Sequence, residues 1–212
     1  MSSAGRNRAP GPAAGTSGGG RGGSRIVLGV AGGIAAYKAA EVVRGLVKAG
    51  AEVHVIMTSA GQRFITPLTL QTLSGQPVIT GQWDLSRGAD VQHISLARGI
   101  DLFLVAPATA DVLARLAHGI ADDFLSTFYL AVTAPVAVAP AMNLWMWEHP
   151  ATQANLALLK SRGVHVIEPG VGDLACGDEG TGRMAEPDVI VEAALSVAKK
   201  KLRGRLRAAA SS

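Results

Sequence analysis

The stretch "RIVLGVAGGIAAYKAAEVVRGLVKAGAEVHVIM" (residues 25–57) decides the fold. Its two ends, "RIVLGV" (25–30) and "EVHVIM" (52–57), are β-branched runs of strand length, mostly too apolar to leave one face in water. Between them, "IAAYKAAEVVRGLVKAG" (34–50) repeats its apolar residues at helical spacing and meets a stop signal at Gly50. Strand, helix and strand in succession form a βαβ unit, whose two strands run parallel.

Outward from this unit the pattern repeats. "DLFLVA" (101–106), "PVAVAP" (135–140) and "VHVIE" (164–168) are further apolar strand candidates, while "ATADVLARLAHG" (108–119) and "PATQANLALLKSRG" (150–163) carry the helical period. The expected fold is α/β: a single-domain, Rossmann-like (flavodoxin-like) three-layer αβα sandwich around a parallel sheet.

Composition agrees. The 212 residues are 48% hydrophobic with a mean hydropathy of +0.27, enough for one substantial core. No run approaches the ~18 apolar residues of a membrane span, and the N-terminus lacks the apolar segment of a signal peptide. A soluble, cytoplasmic protein with no membrane partner is expected. The net charge of +4 comes from the two ends: residues 1–24, a Gly/Ser/Pro-rich basic segment expected to be disordered, and residues 199–212, a basic tail. The domain between them, 25–198, is acidic, because residues 27–198 carry all 16 Asp and Glu against 10 Lys and Arg. No nucleic-acid partner is expected. One cysteine, Cys176, excludes an internal disulfide or thiolate cluster, and no metal is expected.

Ligands of such sheets bind beyond the carboxyl ends of the strands. After the first strand, Gly32 and Gly33 precede a helix start, where backbone N–H groups favour an anion. The dinucleotide fingerprint G-x-G-x-x-G is absent, Thr58 and Ser59 stand where an acid would meet a ribose, and there is no GK[ST]. A mononucleotide phosphate suits this combination. In "VAPATAD" (105–111), Thr109 is a candidate helix cap and Asp111 a first-turn acid, roles that need no ligand. In "VAPAMNLWMW" (138–147) an amide, Asn143, sits with Met146 and two of the three tryptophans just beyond a strand.

Together "GGIAAYK", "PATAD", "PAMNLWMW" and "ACGDEGTGRMAEP" resemble, in order and spacing, the homo-oligomeric flavin-containing cysteine decarboxylases, over about residues 25–198. The resemblance implies FMN as cofactor, a homotrimer that completes each site and assembles further to a dodecamer, and decarboxylation beside a cysteine-type thiol. Carried over by position, it makes His93 in "VQHISLAR" the active-site histidine and Arg98 a basic contact for the substrate carboxylate. Asn143 becomes a catalytic and substrate-binding amide, Met146 a substrate-binding side chain, and Cys176 the flap cysteine that finishes the reaction. Gly33, Ile34, Ala35, Thr58, Ser59, Pro107, Ala108, Thr109 and Asp111 fall on its FMN-holding loops. On the residues alone, a lone histidine or cysteine is more often structural than catalytic.

The chemistry explains why such groups are needed. Loss of CO2 leaves an electron pair, and an aminoacyl cysteine has no adjacent sink. Oxidising the sulphur-bearing carbon at a flavin creates one. Two outcomes then separate: the enethiol is reduced again to a saturated thiol, with Cys176 as the proton donor, or it is released. Cys176 favours the first, conversion of 4'-phosphopantothenoylcysteine to 4'-phosphopantetheine in coenzyme A biosynthesis. The alternative is oxidative decarboxylation of a C-terminal peptidyl cysteine to an aminoenethiol in lantibiotic or thioamide peptide biosynthesis. A non-catalytic flavin-binding regulator is the third reading, and it would call for an acidic tail that this chain lacks.

Overall fold

The computed structural model describes residues 23–81, 92–173 and 179–210. Strands β1 (Arg25–Val30) and β2 (Glu52–Met57) have the bounds read from sequence, and they pair in parallel from Arg25 opposite Glu52 to Val30 opposite Met57. Between them the chain makes a 3-10 turn (Ile34–Lys38) and then α1 (Ala39–Lys48). The α1 residues Ala39, Val42, Val43 and Leu46, spaced i, i+3, i+4 and i+7, are all buried.

After α2 (Pro67–Ser74) and α3 (Gln92–Ala97) comes β3 (Leu102–Ala108), buried along its whole length. Next are α4 (Ala110–His118), α5 (Phe124–Ala131), β4 (Val136–Pro140), α6 (Leu144–Glu148), α7 (Pro150–Ser161) and a short β5 (His165–Val166). The sheet order is β2-β1-β3-β4-β5, with every pair parallel. A hairpin of β6 (Gly170–Asp173) and β7 (Glu179–Arg183) follows, then α8 (Pro187–Ala210).

Alternate side chains of the strands feed two cores. Ile26, Leu28, Leu102 and Leu104 pack with α1 and α8, whereas Val27, Phe103, Val105 and Val138 pack with α4, α5 and α7. Phe103 meets Phe128 edge to face at 5.0 Å. These are the three layers expected, and strands buried on both faces explain why the sequence shows continuous apolar runs rather than alternation.

The last sheet strand is two residues rather than the five read from sequence. Residues 199–210 of the basic tail continue α8, whose Ile190, Ala194 and Ala198 repeat at i+4 and are fully buried. Cys176 lies outside the described residues, as do residues 1–22. Among the described residues no helix is long and apolar enough to cross a membrane.

In the order 2-1-3-4-5 the chain reverses direction of winding between β1 and β3. Loops leaving those two strands diverge to opposite faces and open a crevice at the carboxyl edge.

Candidate active site

A cavity of about 1010 Å³ fills that crevice. Four strand-end loops wall it: Gly32 to Lys38 after β1, Thr58 to Ala60 after β2, Thr109 to Val112 after β3, and Ala141 to Met146 after β4. Gly182, Arg183 and Met184 at the exit of β7 close one side. Of the residues expected to hold FMN or substrate, Gly33, Ile34, Ala35, Thr58, Ser59, Thr109, Asp111, Asn143 and Met146 therefore line a single cavity.

Several of them have structural work that limits what they can offer a ligand. The Thr58 hydroxyl is buried and accepts the Gly61 N–H at 3.0 Å, pinning the second loop, so Ser59 is the exposed hydroxyl of the pair. Thr109 caps α4 by accepting the Val112 N–H at 3.3 Å. Asp111 accepts from Arg115 at 3.0 Å, one turn along the same helix. Pro107 and Ala108 do not line the cavity. Their carbonyls instead accept the N–H groups of Ala31 at 3.3 Å and Ala141 at 3.0 Å, tying the first and fourth loops to β3.

Asn143 is the most informative. Its side-chain oxygen accepts the Met146 N–H at 2.8 Å and caps α6. An amide offers both a donor and an acceptor, and the cap engages its oxygen, so the group left wholly unengaged is the NH2, a neutral donor suited to an anion. Met146 is half-exposed on the cavity wall, Trp147 packs on the core, and Trp145, 70% exposed, faces outward.

Arg98 lies elsewhere in the single chain: it follows α3, the helix that carries His93, is exposed, and donates its N–H to the Ile94 carbonyl at 3.2 Å. Arg98 does not line the cavity.

Sequence reasoning missed the charged residues of the walls. Arg115 meets Asp122 at 2.6 Å and Asp123 at 3.8 Å besides Asp111, and the hydrogen bond to Asp111, above all, raises its affinity for its proton. Opposite, the buried Lys38 ammonium donates to Glu186 at 3.0 Å, and Glu186 also pairs with Arg183 at 3.0 Å. Lys38, Arg183 and Glu186 stand inside the quoted motifs "GGIAAYK" and "GTGRMAEP", but nothing in their local spacing announces that residues 148 positions apart meet. Among the described residues no group of three His, Cys, Asp or Glu could hold a metal.

The Lys38 hydrogen bond, reinforced by both cations, holds the Glu186 carboxyl below its ordinary pKa. A lowered carboxyl stabilises the fold fully above its unfolded value, about 4.3, and loses that contribution as pH falls through the lower folded value. Glu186→Gln should therefore be less stable than the parent at neutral pH. Its urea midpoint should converge on the parent's as pH drops below about 4.3, and parallel curves across that range would contradict the pairing.

The cavity fits FMN. Gly33 is extended, and a Cβ built there meets only the Thr109 methyl, at 3.6 Å, so backbone is exposed to a ligand beside Ser59. Ile34, Ala141, Met142 and Met184 supply an apolar surface for a planar ring.

The comparisons agree with this geometry. Residues 16–199 match the Flavoprotein family. The chain is 52% identical over 169 residues to the coenzyme A biosynthesis bifunctional protein CoaBC of Vibrio vulnificus and 52% identical over 174 residues to that of Escherichia coli. These matches cover 80% and 82% of this chain but only 42% and 43% of those relatives. Among solved structures, a cysteine-to-serine mutant of a PPC decarboxylase complexed with pantothenoylaminoethenethiol superposes with a TM-score of 0.73 at 34% identity, covering 81% of this chain and 96% of that one. The FMN-dependent cysteine decarboxylase SpaF gives a TM-score of 0.72 at 29% identity, covering 83% and 97%. The chain belongs to the flavoprotein family, within the flavin cysteine decarboxylases and close to the PPC decarboxylases.

Proposed function

We propose that the protein decarboxylates 4'-phosphopantothenoylcysteine to 4'-phosphopantetheine. The observation that carries this reading is the placing of the Asn143 amide and Met146 across one cavity from Gly33 and Ser59, with the amide's donor free.

When bound, FMN supplies the two-electron sink that the substrate lacks. Gly33, Ile34, Ala35 and Ser59 would hold it. The Asn143 NH2 donates to the substrate's carboxylate and orients it without a full countercharge. A tightly paired cation there would stabilise the ground state and oppose loss of CO2. Met146 shapes the apolar wall. Cys176 gives a proton to carbon when the enethiol is reduced, which makes the product saturated. His93 assists the thiol's proton transfer.

Arg98 is absent from the cavity wall of one chain, and Ile34, Tyr37 and Met146 leave apolar surface exposed at its rim. Both features support a homotrimer in which α3 of one copy, with His93 and Arg98, completes the cavity of the next. Full activity in a species sedimenting at the monomer mass would refute this. A dodecamer of four such trimers, in the cytoplasm, is the assembly the reading implies.

The purified protein should be yellow and should convert 4'-phosphopantothenoylcysteine with loss of CO2 alone, needing no oxygen. The structural likeness to SpaF favours a second substrate, a peptide ending in cysteine, whose product would lack two hydrogens besides CO2. Turnover of the peptide and not of the pantothenate conjugate would replace the first reading with the second.

A further inference from the structure

The two walls of the cavity carry opposite charge. On the side of α1 and α8, two cations, Lys38 and Arg183, share one carboxylate, that of Glu186. On the side of α4, one cation, Arg115, faces three carboxylates, those of Asp111, Asp122 and Asp123. The first wall has a surplus of one positive charge and the second a surplus of two negative charges. A ligand's anionic group is drawn to the first and repelled by the second.

Of the two cations on the positive wall, only Arg183 is free to change partner. Lys38 is buried, with its side chain 9% exposed, whereas the Arg183 side chain is 45% exposed and its Glu186 partner 52%. An exposed pair of this kind contributes little, so giving it up costs little. Nor does the exchange strand a charge. Lys38 binds Oε2 of Glu186 and Arg183 binds Oε1, so Glu186 stays neutralised when Arg183 leaves. A phosphate monoester offers the guanidinium fork a doubly charged, bidentate acceptor, a stronger partner than a shared carboxylate.

The place of Arg183 selects which anion it meets. It ends β7, and the preceding Gly182 carbonyl accepts the Met142 N–H at 3.0 Å, so the strand is docked on the Asn143 loop. The reacting carboxylate is a poor partner for it, because its charge moves off the carboxylate oxygens onto the remaining carbon framework as neutral CO2 departs. A remote phosphate keeps its charge through the whole reaction, so a cation bound to it acts equally on ground and transition states and is read in KM.

We propose that Arg183 recognises the phosphate monoester of the substrate, and that Glu186 parks its guanidinium in the free protein. This rests on the pantothenate-conjugate reading above. The other phosphate monoester available to the cavity is that of FMN, and the test separates the two.

The holoprotein and its Arg183→Gln and Arg183→Lys variants are assayed on 4'-phosphopantothenoylcysteine and on unphosphorylated pantothenoylcysteine, with FMN affinity titrated on the apoproteins. Preference for the phosphorylated compound should fall roughly tenfold or more in Arg183→Gln, through KM, and recover in part in Arg183→Lys, which keeps the charge without the fork. FMN affinity should stay within about twofold. An unchanged preference overturns the proposal. So does weakened FMN binding with the preference intact, which would hand Arg183 to the cofactor. Failure of the parent to turn over either compound overturns this proposal and the underlying reading together, whereas lost preference in an active enzyme upholds both.

Discussion

Asn143→Asp should fold and bind flavin like the parent while losing about a thousandfold in kcat/KM. The two halves of this expectation come from the two ends of one side chain. The Asn143 oxygen caps α6 by accepting the Met146 N–H, and an aspartate oxygen fills that role as well as an asparagine oxygen. Stability should stay within about 0.5 kcal/mol, measured by denaturant unfolding. The other end changes completely. The free NH2 becomes an oxygen carrying charge, and it meets a substrate carboxylate. Two like charges about 4 Å apart in a partly screened site repel by roughly 4 kcal/mol, equivalent to about three powers of ten. Asn143→Ala supplies the contrast: it removes the cap, costing about 1 kcal/mol of stability, but adds no repulsion. A ranking in which Asp turns over faster than Ala would show that the amide does not face an anion.

How much of this could be read in the sequence depended on the range of the interaction. β1 and β2 were legible to the residue: β1 is an apolar run buried from Ile26 to Val30, and the edge strand β2 keeps Val53, Val55, Ile56 and Met57 buried around the polar Glu52 and His54. The α1 stripe was legible for the same local reason. Thr109 was recognisable as a cap since its partner, Val112, is three residues away. α5 was not seen: Phe124, Leu125 and Phe128 make it apolar on nearly every side, so it shows no helical period. Nor was the Lys38–Glu186–Arg183 group: Arg183 and Glu186 are three residues apart, but Lys38 joins them from 148 positions away. Motif spacing located the Asn143 loop, but only the fold shows that the amide oxygen already caps α6. Arg98, just after α3, stands off the cavity wall of one chain, and no local pattern in the sequence announces that.

Gly32→Ala should release the flavin, and Gly33→Ala should tell why. The two glycines are neighbours in the same loop, yet their surroundings differ. A Cβ on Gly32 would collide with the Ala60 Cβ and stand 2.6 Å from the Ala60 carbonyl carbon, so backbone rather than a flexible side chain must move. The loops after β1 and β2 touch there, and both line the cavity. Forcing them apart costs about 1–3 kcal/mol of stability and should weaken FMN binding by roughly 10- to 100-fold, read by thermal unfolding and by titration of the apoprotein. Gly33 has no such clash: its φ of −162° suits any residue, and its nearest would-be contact is an ordinary 3.6 Å. Its alanine variant should therefore unfold with the parent. If that variant nevertheless loses flavin affinity, the ligand itself must approach the Gly33 backbone, since no protein atom occupies the space. If both variants keep FMN as tightly as the parent does, the cofactor does not lie against this loop, and the assignment of the cavity's Gly33 and Ser59 edge to the phosphate fails.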